Sequence, residues 1–185
     1  LPLTLKNTGD ISDPIKNGDF EKGSDGSWTE YSSNAFDLIV PKEQLLVSPR
    51  SGNWAVWLGG EIDEISRLSQ TIPISSARPY LHYWYWIGSE DICGYDYFRL
   101  KVNSTIVTTS ELCSPNSTTS WRENVVNLSA YTGSTVTIMF EVTNDDSLNS
   151  NFFLDDVSMS NVSTASTAVL GETQMFGDVT GKKVK

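Results

Sequence analysis

The sequence contains little of the chemistry on which most enzymes depend. Its 185 residues include one histidine and two cysteines, and no Gly-X-Ser-X-Gly elbow or cysteine–histidine arrangement occurs. The histidine, His82, lies in the aromatic stretch 81–87, where we expect its ring to be hydrogen-bonded within a sheet rather than to act as a base. Without a nucleophile and its base, the chain is not expected to be an enzyme.

Paired carboxylates are the remaining route to catalysis, because a glycosidase needs two of them about 5–10 Å apart. Acids do cluster after the turn at Gly59-Gly60 and after Ser89; they are Glu61, Asp63, Glu64, Glu90 and Asp91. Since these acids follow turn signals, we expect them to form a solvated rim on loops. A hydrolase therefore has little support in the sequence.

Positive charge and long apolar runs are also scarce. The formal net charge is −10 and the pI is about 4.4, which argues against nucleic acid or an anionic membrane surface as a partner. No apolar run approaches the roughly 18 residues that a membrane-spanning helix needs. The composition favours an exported protein and is compatible with binding of divalent cations.

Helical periodicity is absent, whereas short runs rich in aromatic and β-branched residues recur between Gly and Pro turns. The predicted strands cover 36–40, 53–58, 65–72, 80–87, 95–102, 105–112, 123–128, 136–142 and 152–160. This spacing predicts an all-β fold, a two-sheet antiparallel β-sandwich over 15–160, with extended terminal segments at 1–14 and 161–185.

The last predicted strand carries acids in its middle. By period-2 alternation Asp155 shares a face with Phe153, Val157 and Met159, and that face should be buried. A carboxylate in an apolar sheet costs several kcal/mol unless a positive group meets it. No Lys or Arg lies nearby in the sequence, so the pattern predicts a bound cation beside Asp155.

The opening sequence Asn-Gly-Asp-Phe-Glu at 17–21 and the closing sequence Leu-Asp-Asp-Val-Ser at 154–158 together resemble the jelly-roll β-sandwiches of the carbohydrate-binding-module and MAM type. In that family a structural calcium ties the first strand to the last. The resemblance implies a jelly roll and a Ca²⁺ site with ligands from Asp19, Glu21, Asn53, Asp155 and Asp156. Alternatively, these acids cap turns through backbone N–H groups or pair with Lys16 or Lys22. Such sandwiches include sugar binders, adhesion modules and structural subunits.

Cys93 and Cys113 flank a predicted hairpin whose tight turn is Asn103-Ser104. Antiparallel pairing around that turn places the two cysteines opposite each other, which predicts a cross-strand disulfide. A disulfide favours an extracellular or cell-surface location. The alternative is two free buried thiols.

The aromatic run at 80–87 is the main signal for a ligand. Strand alternation sends either Trp84 and Trp86 or Tyr83 and Tyr85 to the outer face of the sheet. Exposed Trp and Tyr rings stack on pyranose faces, so the outward pair is a candidate polysaccharide groove. A loop, the second sheet or another subunit could equally cover it.

Both ends of the chain offer apolar alternation. Leu1, Leu3 and Leu5 alternate at the N-terminus, and the linker-like C-terminal segment contains Val169, Met175 and Phe176. Sheet edges accept an added strand, so either end could insert into a neighbouring copy of the protein.

Two functions follow from these observations. The first is a non-catalytic extracellular structural or adhesive subunit, stabilised by calcium, that assembles with copies of itself into a filament or surface layer by terminal-strand donation. The alternative is a carbohydrate-binding module of a secreted enzyme.

Overall fold

The computed structural model describes residues 12–165 and 179–183. Within them ten strands occur: β1 (Thr29–Ser32), β2 (Ile39–Pro41), β3 (Trp54–Gly59), β4 (Ile65–Pro73), β5 (Tyr80–Ser89), β6 (Tyr97–Val102), β7 (Thr105–Glu111), β8 (Arg122–Asn127), β9 (Thr135–Thr143) and β10 (Ser150–Ser160). The helical segments of this part are three short 3₁₀ turns, at Lys42–Gln44, Ser114–Asn116 and Ser129–Tyr131. Among the described residues, no helix has both the length and the hydrophobicity that crossing a membrane requires.

The strands form two five-stranded antiparallel sheets. Sheet A has the order β1-β4-β9-β6-β7, and sheet B has the order β2-β3-β10-β5-β8. The predicted all-β, two-sheet antiparallel sandwich is therefore confirmed. The opening motif lies in turns and bends over residues 17–28, and the strand that follows it, Thr29–Ser32, was not among the predicted strands.

The main core fills the space between the sheets. Phe98 and Phe140 of sheet A meet Tyr83 and Phe152 of sheet B, and the rings of Phe98 and Phe152 stack with centroids 4.0 Å apart. All four side chains are almost fully buried. Burial of a large apolar side chain contributes about 1.5–3 kcal/mol, so alternate residues of these strands provide much of the fold's stability.

A second, smaller apolar cluster lies on the outer face of sheet B. Its buried members are Val40, Val47, Trp57, Trp86 and Phe153, and it is covered by Leu45, Leu46, Trp121 and Val179. This half of the outer face is consequently closed to solvent. By contrast, the outer face of sheet A carries ion pairs, in which both Arg67 and Lys101 contact Glu141.

The period-2 pattern of β10 is interrupted by a register shift between Asp155 and Ser158. Asp156, at the shift, has a left-handed φ of 46°. Phe153 therefore belongs to the outer cluster and Val157 to the main core, although unbroken alternation predicts one face for both. The bulge therefore reverses which face of the sheet the side chains at the end of the strand point to.

The described part of the C-terminal segment packs on the chain's own sandwich. The Lys183 backbone N–H donates to Gly60 O at 2.7 Å, and the Asn149 and Asn151 side chains donate to carbonyls of residues 179–181. Residues 179–183 cover the rim of sheet B in the same molecule. The predicted docking of the 161–185 segment on a neighbouring copy stays a prediction.

Candidate functional site

A polar groove opens on the outer face of sheet B, beside the covered apolar cluster. It has a volume of about 460 Å³, and its lining includes Asp19, Arg50, Trp84, Glu123, Asp156 and Ser158. Trp84 lies on β5 directly opposite Asp155 of β10, where the bulge ends the regular pairing. The groove therefore combines one partly exposed indole with carboxylates, a guanidinium group and a hydroxyl.

The wall of the groove is a stack of three side chains. The guanidinium carbon of Arg50 lies 4.2 Å from the centroid of the Trp84 ring, close enough for a cation–π interaction. Arg50 also forms a 2.7 Å ion pair with Asp156 Oδ2, and Ser51 Oγ donates to Asp156 Oδ1 at 2.9 Å. These contacts fix the position of Arg50 over the indole.

Asp155 lies behind this wall and is fully buried. Burial, with a further contribution from the Asp156 charge, raises the pKa of Asp155 to about 8. The backbone N–H groups of Ser51 and Asp156 donate to its carboxylate at 3.1 and 2.8 Å, which only partly offsets the cost of burial. The sequence therefore predicted the burial of Asp155 correctly. The face that it also predicted for Val157 and Met159 was wrong, because the bulge turns these two residues into the main core while Phe153 lies in the outer cluster.

The other predicted calcium ligands lie around the same loop, 50–54, with partners of their own. Glu21 Oε1 accepts hydrogen bonds from the backbone N–H groups of Asn53 and Trp54 at 2.7 and 2.9 Å, and Asn53 Oδ1 accepts from Lys42 Nζ at 2.9 Å. Asp19 is exposed. The first contact is the turn-capping role that the sequence left open for these acids.

The donor set was tested for its fit to calcium. Asp155 fits, since it is a buried carboxylate that meets no cation among the residues described. Asp156 is already neutralised by Arg50. No three acids of the predicted set bring carboxylate oxygens within 4.8 Å of one another in the described part of the chain. Calcium at this place would use Asp155 together with oxygens that are not carboxylates, and it stays a prediction.

The remaining aromatic candidates do not face the groove. Tyr83 is 1% exposed in the main core and Trp86 is 2% exposed in the outer cluster, so both are wrong as glycan-stacking residues. Tyr85 packs against the core with its ring stacked on Phe152 at 5.6 Å. Only Trp84 of the four predicted aromatics contributes to the groove.

Cys93 and Cys113 form the predicted disulfide, with Cα atoms 4.9 Å apart. The hairpin that they flank is β6–β7, as expected from the turn at Asn103-Ser104. Cys93 itself lies in the loop between β5 and β6, so the bridge fastens that loop to the end of β7.

Two other groups of sequence candidates have clear positions. His82 Nδ1 lies 2.8 Å from Glu123 Oε1 and its Nε2 lies 2.8 Å from Val162 O, so the ring is held at both nitrogens. Glu64 and Asp91, which were expected on a solvated rim, are at most 1% exposed, so that prediction was wrong for these two acids. The carboxylate of Glu64 accepts hydrogen bonds from Ser33, Asn34 and Ser66, and that of Asp91 accepts one from the backbone N–H of Ile92.

The residues predicted to mediate assembly lie outside the described residues: Leu1, Leu3, Leu5, Val169, Met175 and Phe176.

No protein-family model and no curated protein matches the chain. Solved structures do match. The carbohydrate-binding module TmCBM61, in complex with β-1,4-galactotriose, has a TM-score of 0.57 at 17% identity over 80% of this chain and 97% of its own. The K1 cleaved adhesin domain of Lys-gingipain from Porphyromonas gingivalis W83 has a TM-score of 0.56 at 13% identity over 78% and 96%.

The K2 cleaved adhesin domain of Lys-gingipain gives similar values, with a TM-score of 0.55 at 16% identity over 77% of this chain and 96% of its own. At such identities the likeness establishes the fold, a jelly-roll-like β-sandwich found in carbohydrate-binding modules and adhesin domains. Neighbours of this kind, together with the disulfide, are typical of extracellular proteins.

Proposed function

We propose that this chain is a carbohydrate-binding module of an extracellular protein and that it holds its glycan in the groove around Trp84. The observation that carries the proposal is an indole set in a concave polar site of about 460 Å³. A sugar ring offers one apolar face and a rim of hydroxyl groups. The indole can stack on the apolar face, while the carboxylates and the guanidinium group can form hydrogen bonds with the hydroxyl groups.

The fold supports the proposal by analogy, because TmCBM61 binds β-1,4-galactotriose on a sandwich of the same kind. The groove also explains the position of Arg50. Its ion pair with Asp156 is half-exposed, so a sugar hydroxyl can share the same guanidinium and carboxylate groups at little cost in desolvation. Binding, rather than catalysis, is the role that this arrangement suits.

The test is retention on immobilised or soluble polysaccharides, starting with β-1,4-galactan, by affinity electrophoresis and calorimetry. Trp84→Ala should weaken binding at least about tenfold, equivalent to about 1.4 kcal/mol, since the stacking surface is lost. Trp84→Phe should retain part of the affinity, which separates loss of the ring from loss of folding.

The control is Tyr31→Ala. Tyr31 is 48% exposed on sheet A, where the guanidinium group of Arg67 lies 5.1 Å from its ring, and the change should leave glycan binding intact. Binding that survives Trp84→Ala and disappears in Tyr31→Ala would place the glycan on sheet A and contradict the groove.

Adhesion is a second candidate, favoured by the resemblance to two adhesin domains. A glycan on a surface would serve as the adhesive target through the same groove. Assembly with copies of itself by strand donation stays a prediction.

A further inference from the structure

Two loops at one end of the sandwich bring three carboxylates together. The loop 90–96 joins β5 to β6 and contains Asp91 and Asp96, while the loop 144–149 joins β9 to β10 and contains Asp145. The two loops are adjacent because Ser89 pairs with Ser150 in sheet B. One carboxylate oxygen from each acid lies within 4.8 Å of the others.

This cluster is buried, unlike an ordinary acidic surface. Asp91 is 1% exposed and Asp96 is fully buried, and Asp145 is half-buried. Each carboxylate has one oxygen held by a hydrogen bond from a backbone N–H: Ile92 donates to Asp91, Asp145 to Asp96, and Ser147 to Asp145, at 2.7 to 2.9 Å. The side chains are thus fixed in position.

The second oxygens of Asp91 and Asp96 are the decisive feature. Both Oδ2 atoms are buried and have no hydrogen-bond partner among the described residues. The amide oxygens of Asn144 and Asn149, on the same β9–β10 loop, are likewise buried without a partner. These orphaned groups are all acceptors, and a buried acceptor without a partner costs about 1–3 kcal/mol.

No cationic side chain of the described residues forms an ion pair with these acids. The ion pairs in the described part of the chain involve Asp156, Glu141, Glu123 and Glu61, but none of the three clustered acids. Burial, together with the charges of Asp91 and Asp145, raises the pKa of Asp96 to about 6, although hydrogen bonds from Ser150 and Asp145 oppose the shift. A group of fixed, mutually repelling oxygens of this kind is what a hard cation needs.

We propose that Asp91, Asp96 and Asp145 form a calcium-binding site that clasps the β5–β6 loop to the β9–β10 loop. Calcium takes six to eight oxygens at about 2.3–2.6 Å, so oxygens on opposite sides of the ion are up to about 5 Å apart. Because one carboxylate oxygen of each acid lies within 4.8 Å of the others, the three oxygens fit inside that span. Zinc prefers nitrogen and sulfur ligands, and Mg²⁺ demands stricter octahedral geometry than three loop carboxylates offer.

The neighbouring disulfide helps to shape this site without taking part in it. Cys93 lies between Asp91 and Asp96, and its bond to Cys113 fastens the loop. Backbone N–H groups of Ser114 and Leu112 donate to Asp91 O and Asp96 O at 2.8 and 2.9 Å. The two acids are held before any ion arrives, which lowers the cost of ordering them on binding.

This site is separate from the predicted ligands near Asp155, so the test removes that contribution first. EDTA-treated full-length Asp155→Asn protein is titrated with CaCl₂ near neutral pH by calorimetry, and its thermal unfolding is followed with and without CaCl₂. We expect calcium to bind and to raise the melting temperature.

In this Asp155→Asn background, a second substitution, Asp96→Asn or Asp145→Asn, should weaken calcium binding at least tenfold and abolish the rise in melting temperature. Asp145 is only half-buried, so its variant remains informative if the Asp96 variant folds poorly. The matched control is Asp146→Asn, an exposed neighbour with the same change in charge, which should bind as before. Calcium binding that is absent, or that the Asp96 and Asp145 variants leave unchanged, would show that the cluster is held by protons and overturn the proposal.

Discussion

Asp155 illustrates at the scale of a single residue how burial links stability to pH. Its pKa is raised from 3.8 to about 8 in the folded chain, so between these values the folded state binds a proton that the unfolded state has lost. The contribution to stability is complete below about pH 4 and is lost as the pH rises towards 8. Each pH unit in that window corresponds to about 1.4 kcal/mol at most.

We therefore predict that in EDTA the free energy of unfolding falls between about pH 4 and pH 8, and that Asp155→Asn flattens this fall. Urea unfolding at a series of pH values measures both. Asp146→Asn, at an exposed position, should leave the slope unchanged. An equally steep slope in Asp155→Asn and wild-type protein would contradict the assignment. Because Asp96 titrates in the same direction, some slope should remain.

Residues also show where the sequence was sufficient and where it was not. Alternation predicted correctly that Asp155 is buried. However, no local sequence pattern indicates the bulge at Asp156, and that bulge determines on which face of the sheet each neighbouring side chain lies. Alternation likewise put Trp84 and Trp86 on one face. Only the distant segments that cover Trp86 distinguish the two, and these come together by folding.

At the scale of elements, the strands and the disulfide were predictable because both depend on local patterns. The acidic cluster was not, because Asp145 is 49 residues from Asp96 along the chain and only sheet topology joins their loops. The sequence did contain part of the signal for this cluster. Asp91 and Asp96 lie on either side of Cys93, and acids beside a disulfide-bonded cysteine are held in a fixed loop.

The docked segment 179–183 provides a prediction at this scale. Gly88 of β5 lies under it, and a Cβ on Gly88 would lie 2.3 Å from Val179 O. Gly88→Ala should therefore displace the segment and expose it to proteases. Cleavage followed by mass spectrometry measures the effect, and unchanged cleavage would contradict the docking.

Lys182→Ala is the control for that experiment. It removes only an exposed 3.1 Å ion pair with Glu61, which contributes about 0–1 kcal/mol, so the segment should stay in place. Lys183, by contrast, holds the segment by a buried contact. Its ammonium group is buried, donates to Trp57 O and lies 5.3 Å from the Trp57 and Phe36 ring centroids. Burial lowers its pKa to about 7, against the opposing charges of Glu64, Glu30 and Asp37.

At the scale of the whole molecule, the two proposed sites lie at different places along β5 and β10. The groove is beside Trp84 and Asp155, whereas the acidic cluster lies next to Ser89 and Ser150. Four residue pairs of the same ladder lie between them. Glycan binding and calcium binding should consequently respond to substitution independently, as distant sites generally do.

Self-association distinguishes the two functions at this scale. A binding module should scatter light as a single 20.5 kDa species at all concentrations, with or without EDTA. Leu3→Asp and Met175→Asp should then change nothing. Large assemblies that either substitution dissolves would instead favour strand donation, and with it the structural-subunit function.

The double anchoring of His82 makes that residue a spectroscopic reporter. The chain has no other histidine, so a nitrogen-15 NMR spectrum of the imidazole contains one set of signals. Those signals depend on Glu123 at one ring nitrogen and on the Val162 carbonyl at the other. A change in them would reveal, in solution and without an attached reporter group, that the chain after β10 has left sheet B.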